Sequence, residues 1–298
     1  MNGLGMTCAP GESVGAFLCQ AGQLLRAAAI ENPRIEARLL LAHAMDSTTE
    51  TLLRDPRAEV PPNAVARFRA AMAQRMVHVP MAQITGRAGF WTLDLEVSAE
   101  TLIPRPDSET LIEAVLASGM RPRRILDLGT GTGCLLLAAL SEFPEAEGIG
   151  VDLVPGAAGL ARRNAARHGL SARFLAGNWA DSLTGRFDLI LSNPPYIEAS
   201  AIAALMPEVA LHEPVSALDG GPDGLDAFRA ILAELPRLLA PNGLAVLELG
   251  INQADPVLAL AVERGLSQVS LRADLGGVPR AMILELSQKP VGGMDSSG

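Results

Sequence analysis

Asn193-Pro194-Pro195-Tyr196 is the segment of this chain best suited to chemistry, and it ends on the only tyrosine. It follows the apolar run Phe187 to Ser192, which predicts a buried strand. At the carboxyl end of a parallel strand, where open α/β sheets bind ligands, it would present an amide, two backbone carbonyls without ladder partners and an aromatic ring. An amide or exocyclic amine nitrogen is a weak nucleophile because its lone pair is delocalised into the π system. If the Asn193 side-chain oxygen and the Pro194 carbonyl each accept one N–H, that lone pair is freed and aimed at an electrophile. The prolines, Pro195 included, bring no competing donor and stiffen the loop, and Tyr196 would pack against the planar group. This is catalysis by positioning and electrostatics. The plainer alternative is a Pro-Pro turn with a partly buried tyrosine.

Three further segments could hold a ligand beside it. Asp127-Leu128-Gly129-Thr130-Gly131-Thr132-Gly133 lies between an expected strand and helix, and its glycines let backbone approach a ligand closely. A dinucleotide fingerprint would need glycine or alanine where Cys134 stands, and no Lys-Ser/Thr follows to make a phosphate-binding P-loop. A tight turn would use the same residues. Asp152 ends the next expected strand, where a carboxylate can accept both hydroxyls of a ribose; capping the helix that starts at Pro155 is the alternative. Asn178-Trp179 follows the third strand, where Trp179 could stack on an adenine ring and Asn178 bond its edge. An ordinary core tryptophan beside a turn asparagine also fits.

The elements that must position these groups fall into two patterns. Residues from about 12 to 76 read as a helical bundle. Ser13 is a cap, Asn32-Pro33 a second helix start, Ser47-Thr48-Thr49-Glu50 a capping box, and Pro61-Pro62 a break before the last helix. Residues 86–91 and 93–97 alternate like a short β-hairpin, and Pro104-Arg105-Pro106 leads into a helix through Leu111 and Val115. From about residue 123 strands and helices alternate, the signature of a doubly wound parallel sheet. The expected domains are 1–79, a helical docking domain; 80–103, a hairpin linker; 104–288, an α/β catalytic domain; and 289–298, a disordered tail.

Composition narrows the function. Of 298 residues 49% are hydrophobic and 19% charged, as in a globular protein, and the net charge is −9 with Lys289 the only lysine. An acidic chain without a basic run argues against a large nucleic-acid footprint. Cys8, Cys19 and Cys134 are scattered, which speaks against a disulfide framework or a zinc site, so no metal is expected. With no signal-like start or apolar span, the expectation is a reduced cytoplasmic protein without a membrane partner. Glu109 and Glu113 are read as solvated helix residues, and His212 as a core or loop histidine rather than a base.

The glycine loop, Asp152 and Asn193 to Tyr196 together resemble class I S-adenosylmethionine-dependent methyltransferases of the Asn-Pro-Pro-Tyr type. Those enzymes have a Rossmann-like sheet and methylate adenine N6, guanine N2 or a glutamine nitrogen. The resemblance implies that Gly129 to Gly133 hold the amino-acid part of the cofactor and Asp152 its ribose, with Trp179 on the adenine side and Asn193 on the methyl side. Longer blocks are similar to the peptide chain release factor glutamine methyltransferases. They are Pro80 to Trp91, Leu102 to Glu109, His212-Glu213-Pro214 with Ala217 to Leu225, and Glu248-Leu249-Gly250 with Gln253. This resemblance runs from about residue 13 to 286. It implies N5 methylation of the Gly-Gly-Gln glutamine of a release factor by direct displacement. Two departures stand out: Gly277 to Arg280 where the family has an Asp-Arg pair, and Asn178 where it often has aspartate. The rival readings are a nucleic-acid adenine N6-methyltransferase, which the acidic charge disfavours, and a non-catalytic cofactor-binding module.

Overall fold

A computed structural model describes residues 11–181 and 183–287. The expected tail, 289–298, and Cys8 lie outside the described residues. Two compact units are present. One contains the residues through Arg87 together with Ala204–Glu213; the other contains Ala88–Ala203 and the residues from Pro214 on.

The first unit is helical: α1 (Val14–Ala27), α2 (Pro33–Ala44), α3 (Thr49–Arg54), α4 (Pro62–Met76) and the short α5 (Met81–Thr85). Ser13 caps α1 by accepting the Ala16 N–H, and prolines open α2 and α4. The capping box expected at Ser47 does not form. The Ser47 N–H closes the preceding helix onto Ala42 O at 2.9 Å, so the cap passes to Thr48, whose hydroxyl accepts the Thr51 N–H at 3.3 Å. Phe17, Leu25, Leu40, Leu41, Phe68 and Met72 fill the core, with the Phe17 and Phe68 ring centroids 5.8 Å apart.

A segment distant in sequence completes this unit. The Arg75 side chain, 6% exposed, donates to Glu36 and, at 3.0 Å, to Glu208 in a later helix, Pro207–His212. His212 Nε2 lies 2.8 Å from Val77 O, and Gln83 Nε2 donates to His212 O at 3.0 Å.

The second unit starts at Ala88, within β1 (Arg87–Phe90), which forms the expected hairpin with β2 (Leu93–Glu96). A 3-10 turn (Pro106–Ser108) leads into α6 (Glu109–Ala117). There follow β3 (Arg124–Leu128), α7 (Cys134–Glu142), β4 (Glu147–Asp152), α8 (Pro155–His168), β5 (Ala172–Ala176) and β6 (Phe187–Ser192). Past the Pro207–His212 helix, now α9, come α10 (Asp226–Leu238), β7 (Leu239–Glu248), α11 (Ala254–Glu263), β8 (Leu266–Ala273) and β9 (Pro279–Leu286).

The sheet order is β5-β4-β3-β6-β7-β9-β8. The strands from β5 to β7 are parallel, but β9 runs antiparallel to both neighbours, so the expected all-parallel sheet is corrected at one edge. Residues 274–278 make only a hairpin turn, whereas a parallel return needs a crossover of a dozen or more residues. Strand β8 itself was not anticipated; it lies at the sheet edge and is mostly exposed, so it shows no apolar run.

Alternate strand residues face opposite layers. Ile125, Leu189, Leu191 and Val246 pack with α6, α7 and α8, while Leu126, Ile190, Ala245 and Leu247 pack with α10 and α11. The hairpin docks on the first layer. Trp91 donates from its backbone N to Glu109 Oε1 at 2.7 Å and from Nε1 to Glu142 Oε1 at 2.7 Å. Glu109 is therefore a hairpin anchor rather than a solvated residue, whereas Glu113 is exposed and pairs only loosely with Arg272 at 3.7 Å. Chain order reverses between β3 and β6, so the loops after these two strands meet at the topological switch point.

Candidate active site

The loop after β3 turns on three glycines with positive φ: Gly129 (+73°), Gly131 (+54°) and Gly133 (+83°). The Gly129 and Thr130 N–H groups both reach Val151 O at 2.9 Å, which folds the loop back over β4. Asp152 then locks it: Oδ2 accepts the Gly131 N–H at 2.8 Å and Oδ1 the Val154 N–H at 2.9 Å. The carboxylate thus steadies the start of α8 and lines the cavity, and each oxygen, having accepted one N–H, retains the capacity to accept another. Burial pushes its pKa up, against the pull of those two N–H groups.

The five loop residues differ in what they show to the cavity. Gly129, Thr130, Gly131 and Thr132 line it. Both threonine hydroxyls are nevertheless buried: Thr130 Oγ1 donates to Asp127 Oδ2 at 2.6 Å, and Thr132 Oγ1 has no partner among the described residues. Gly133 faces α8 instead, where a Cβ would lie 3.2 Å from the Ala161 Cβ. Asp127, which sequence reasoning left without a role, underpins the loop; burial pushes its carboxyl up to about 7.

Trp179 lines the same cavity in a left-handed backbone conformation (φ +44°). Its ring lies against Gly129, where a Cβ would meet Cζ3 at 3.5 Å. Asn178 also reaches the cavity, and its amide nitrogen donates to Asp181 Oδ2 at 3.2 Å.

Asn193 and Pro195 form the facing wall, whereas Pro194 is buried behind it. Asn193 Nδ2 donates to Ser108 Oγ at 3.1 Å, which turns the amide nitrogen inward and leaves Oδ1 for a ligand. Tyr196 is held at three points. Its hydroxyl donates to Glu248 Oε1 at 3.2 Å, and its carbonyl accepts from Gln253 Nε2 at 2.9 Å. Its ring lies so close to Gly250 that a Cβ there would be 2.9 Å from Cδ2. Burial and the Glu248 carboxylate push the phenol pKa up, so Tyr196 stays protonated.

Sequence reasoning assigned no role to Ser108, Glu248, Gln253 or Arg280. Arg280, in the segment that departs from the family pattern, pairs with Asp274 of the β8–β9 turn at 2.9 Å and donates to Leu249 O at 3.2 Å, so it ties that turn to the strand end behind this wall. The hints for Glu248 are a carboxylate ending an apolar strand and its place in the Glu248-Leu249-Gly250 block, neither of which assigns it a role. Cys134 lines the cavity, but burial pushes its thiol up to about 12, which removes it as a nucleophile. No cluster of metal-binding side chains occurs among the described residues.

One cavity therefore combines a backbone loop turned on glycines, a carboxylate able to accept further donors, an indole face, and an oriented amide acceptor. This donor set fits an adenosine-bearing ligand beside a planar nitrogen.

Known proteins share both the sequence and the fold. Residues 17–86 match the family model described as the PrmC N-terminal domain, and residues 106–221 match the methyltransferase small domain. A release factor glutamine methyltransferase of Rhodospirillum rubrum is 46% identical over 91% of this chain and 84% of its own length. The protein of that name from Cereibacter sphaeroides is 46% identical over 88% and 94%, respectively. Among solved structures, the hMettl16 catalytic domain, in complex with an RNA hairpin (MAT2A 3'UTR hairpin 6), superposes with a TM-score of 0.54 over 77% of this chain and 83% of that one. At 17% identity it shares the fold alone. A cavity at the β3/β6 switch point and 46% identity over 91% of the chain lead to one conclusion: the chain belongs to the release factor glutamine methyltransferase family.

Proposed function

We propose that this enzyme transfers a methyl group from S-adenosylmethionine to N5 of the glutamine in the Gly-Gly-Gln loop of peptide chain release factors. The name carried by its relatives supports the substrate, and the Asn193–Ser108 hydrogen bond is the observation that carries the chemistry. With Nδ2 committed to Ser108, Asn193 offers only its oxygen, the group needed to accept an N–H from the glutamine amide.

S-adenosylmethionine, when bound, supplies an electrophilic sulfonium methyl. The glutamine nitrogen takes that methyl as the S–C bond breaks, and the nitrogen's proton leaves to water, so no strong base is required. Asn193 Oδ1 and the Pro194 carbonyl hold the two N–H groups; Tyr196 and Pro195 fix the plane of the amide. Gly129, Thr130, Gly131 and Thr132 hold the amino-acid end of the cofactor, Gly133 shapes their turn, Asp152 takes the ribose and Trp179 the adenine. Residues 1–79 dock the release factor, 80–103 link, and 104–288 catalyse.

A reaction on a translation factor belongs in the cytoplasm, and no helix among the described residues is long and apolar enough to cross a membrane. The −9 charge supports a protein rather than a nucleic-acid substrate. Labelled S-adenosylmethionine, incubated with release factor, its Gln→Ala variant or nucleic acid, tests the reading. Label is expected in the unaltered factor alone. Label in nucleic acid, or undiminished label in the Gln→Ala factor, overturns it.

A further inference from the structure

Gln253 stands at the N-cap of α11, where its backbone carbonyl accepts the Val257 N–H at 3.0 Å. Its side-chain amide joins three segments that are far apart in the chain. Oε1 accepts the Gly250 N–H at 2.9 Å, while Nε2 donates to Tyr196 O at 2.9 Å and to Gly224 O at 3.2 Å. These partners decide which end of the amide is which. Two carbonyls face Nε2 and one N–H faces Oε1, so a flipped amide would lose all three bonds. A carboxylate has no donor for the carbonyls and an ammonium no acceptor for Gly250, so neither could replace it.

Glycines make room for this amide on two sides. At Gly250 a Cβ would lie 2.6 Å from Oε1. At Gly224, whose φ is +73°, it would lie 2.7 Å from Nε2 and 2.5 Å from Tyr196 O. The acceptor loop needs such an outside tie, because two of the residues from Asn193 to Tyr196 are prolines without a backbone N–H. Regular pairing resumes only at Ile197, whose N–H donates to Leu218 O at 3.0 Å and whose carbonyl accepts the Gly220 N–H at 2.8 Å. The Tyr196 carbonyl, between the prolines and that pairing, is taken up by Gln253.

We propose that Gln253 is a positioning residue for methyl transfer: it clamps the Tyr196 carbonyl to Gly224 and to the turn after β7, and so fixes the ring that packs on the acceptor amide. The hydroxyl bond to Glu248 pins the far end of Tyr196, and the carbonyl bond to Gln253 pins the near end. With the near end released the ring can tilt, and displacements of about 1 Å are enough to slow a reaction that depends on alignment.

The inference rests on the proposed transfer to glutamine, and a readout that needs no substrate separates the two. Tyr196 is the only tyrosine, so biosynthetic labelling with fluorotyrosine places one fluorine nucleus on the acceptor wall and nowhere else. Wild type, Gln253→Met and Gln253→Glu would be compared for the fluorine NMR resonance, kcat, KM for release factor and S-adenosylmethionine affinity. Methionine keeps the length of the side chain and removes every bond; glutamate still accepts from Gly250 but donates to neither carbonyl. Both variants are expected to move or broaden the resonance and to lower kcat about tenfold, the size of one lost orienting hydrogen bond, with KM and cofactor affinity little changed. A Gln253→Glu enzyme with wild-type kcat would show that only the Gly250 turn matters, and overturns the positioning role. So does an unchanged resonance in a slowed variant, or a loss of cofactor affinity equal to the loss in kcat. Failure of wild type to methylate release factor would instead overturn the proposed function, while the fluorine spectra would still decide whether Gln253 holds Tyr196.

Discussion

On the glycine-loop side of the cavity, the bonds that fix Asp152 run to Gly131 and Val154, in the turn before it and the turn after it. On the Asn193 side, every bond that fixes orientation reaches a distant part of the chain: Ser108, Glu248 and Gln253. One wall is assembled from two consecutive strand-turn-helix units and would hold its shape wherever those units pair. The other is assembled from four elements, and its geometry exists only once the sheet has closed. Cofactor holding and acceptor orientation should therefore be separable by mutation.

Asn193→Ala makes the sharpest cut. It removes the side-chain acceptor but nothing from the glycine loop, so kcat is expected to fall about 10²–10³-fold, as for loss of one preorganised hydrogen-bonding group. S-adenosylmethionine affinity by calorimetry should change far less; equal losses would break the distinction between the walls. Asp152→Ala should give the reverse. Loss of charged hydrogen bonds predicts affinity weaker by about 10–100-fold, with kcat at saturating cofactor reduced much less. A normal affinity would take Asp152 out of the cofactor site.

Gly250→Ala perturbs the acceptor wall by crowding alone. The new Cβ would lie 2.6 Å from Gln253 Oε1 and 2.9 Å from Tyr196 Cδ2, so Tyr196 must shift. A fall in kcat of about tenfold is expected at unchanged cofactor affinity, about one misoriented hydrogen bond. Wild-type kcat would mean the position of Tyr196 is unimportant.

The smallest effect concerns the support under the glycine loop. Burial raises Asp127 from 3.8 to about 7, so its favourable contribution is complete below 3.8 and is lost as pH rises through 7. Asp127→Asn cannot ionise. Its stability relative to wild type in urea should grow from pH 5 to 7 and level off above. A constant difference across that range would mean that Asp127 does not titrate in the folded protein.

How much was legible follows the same division. The glycine loop, Asp152 and the strand ending at Ser192 were all readable, because glycine spacing, a strand-terminal carboxylate and an apolar run are local signals. The capping box was misplaced because the Ser47 N–H was claimed by Ala42 O, a contact made by the preceding helix. Glu109 looked like any solvated helix residue until the hairpin brought the Trp91 N–H against it. Strand β8 was silent because its exposed edge position selects no apolar pattern.

The sequence by itself determined the groups at hand: an amide before two prolines at a strand end, a loop turned on three glycines, and a carboxylate at the end of the next strand. The tertiary structure decided which way that amide points. Asn193 Oδ1 and Nδ2 are interchangeable in the chain, and only the fold, which brings Ser108 from the turn before α6 to within 3.1 Å of Nδ2, makes them different. Hydrogen-bond direction is a property of a closed network, and no single segment contains it.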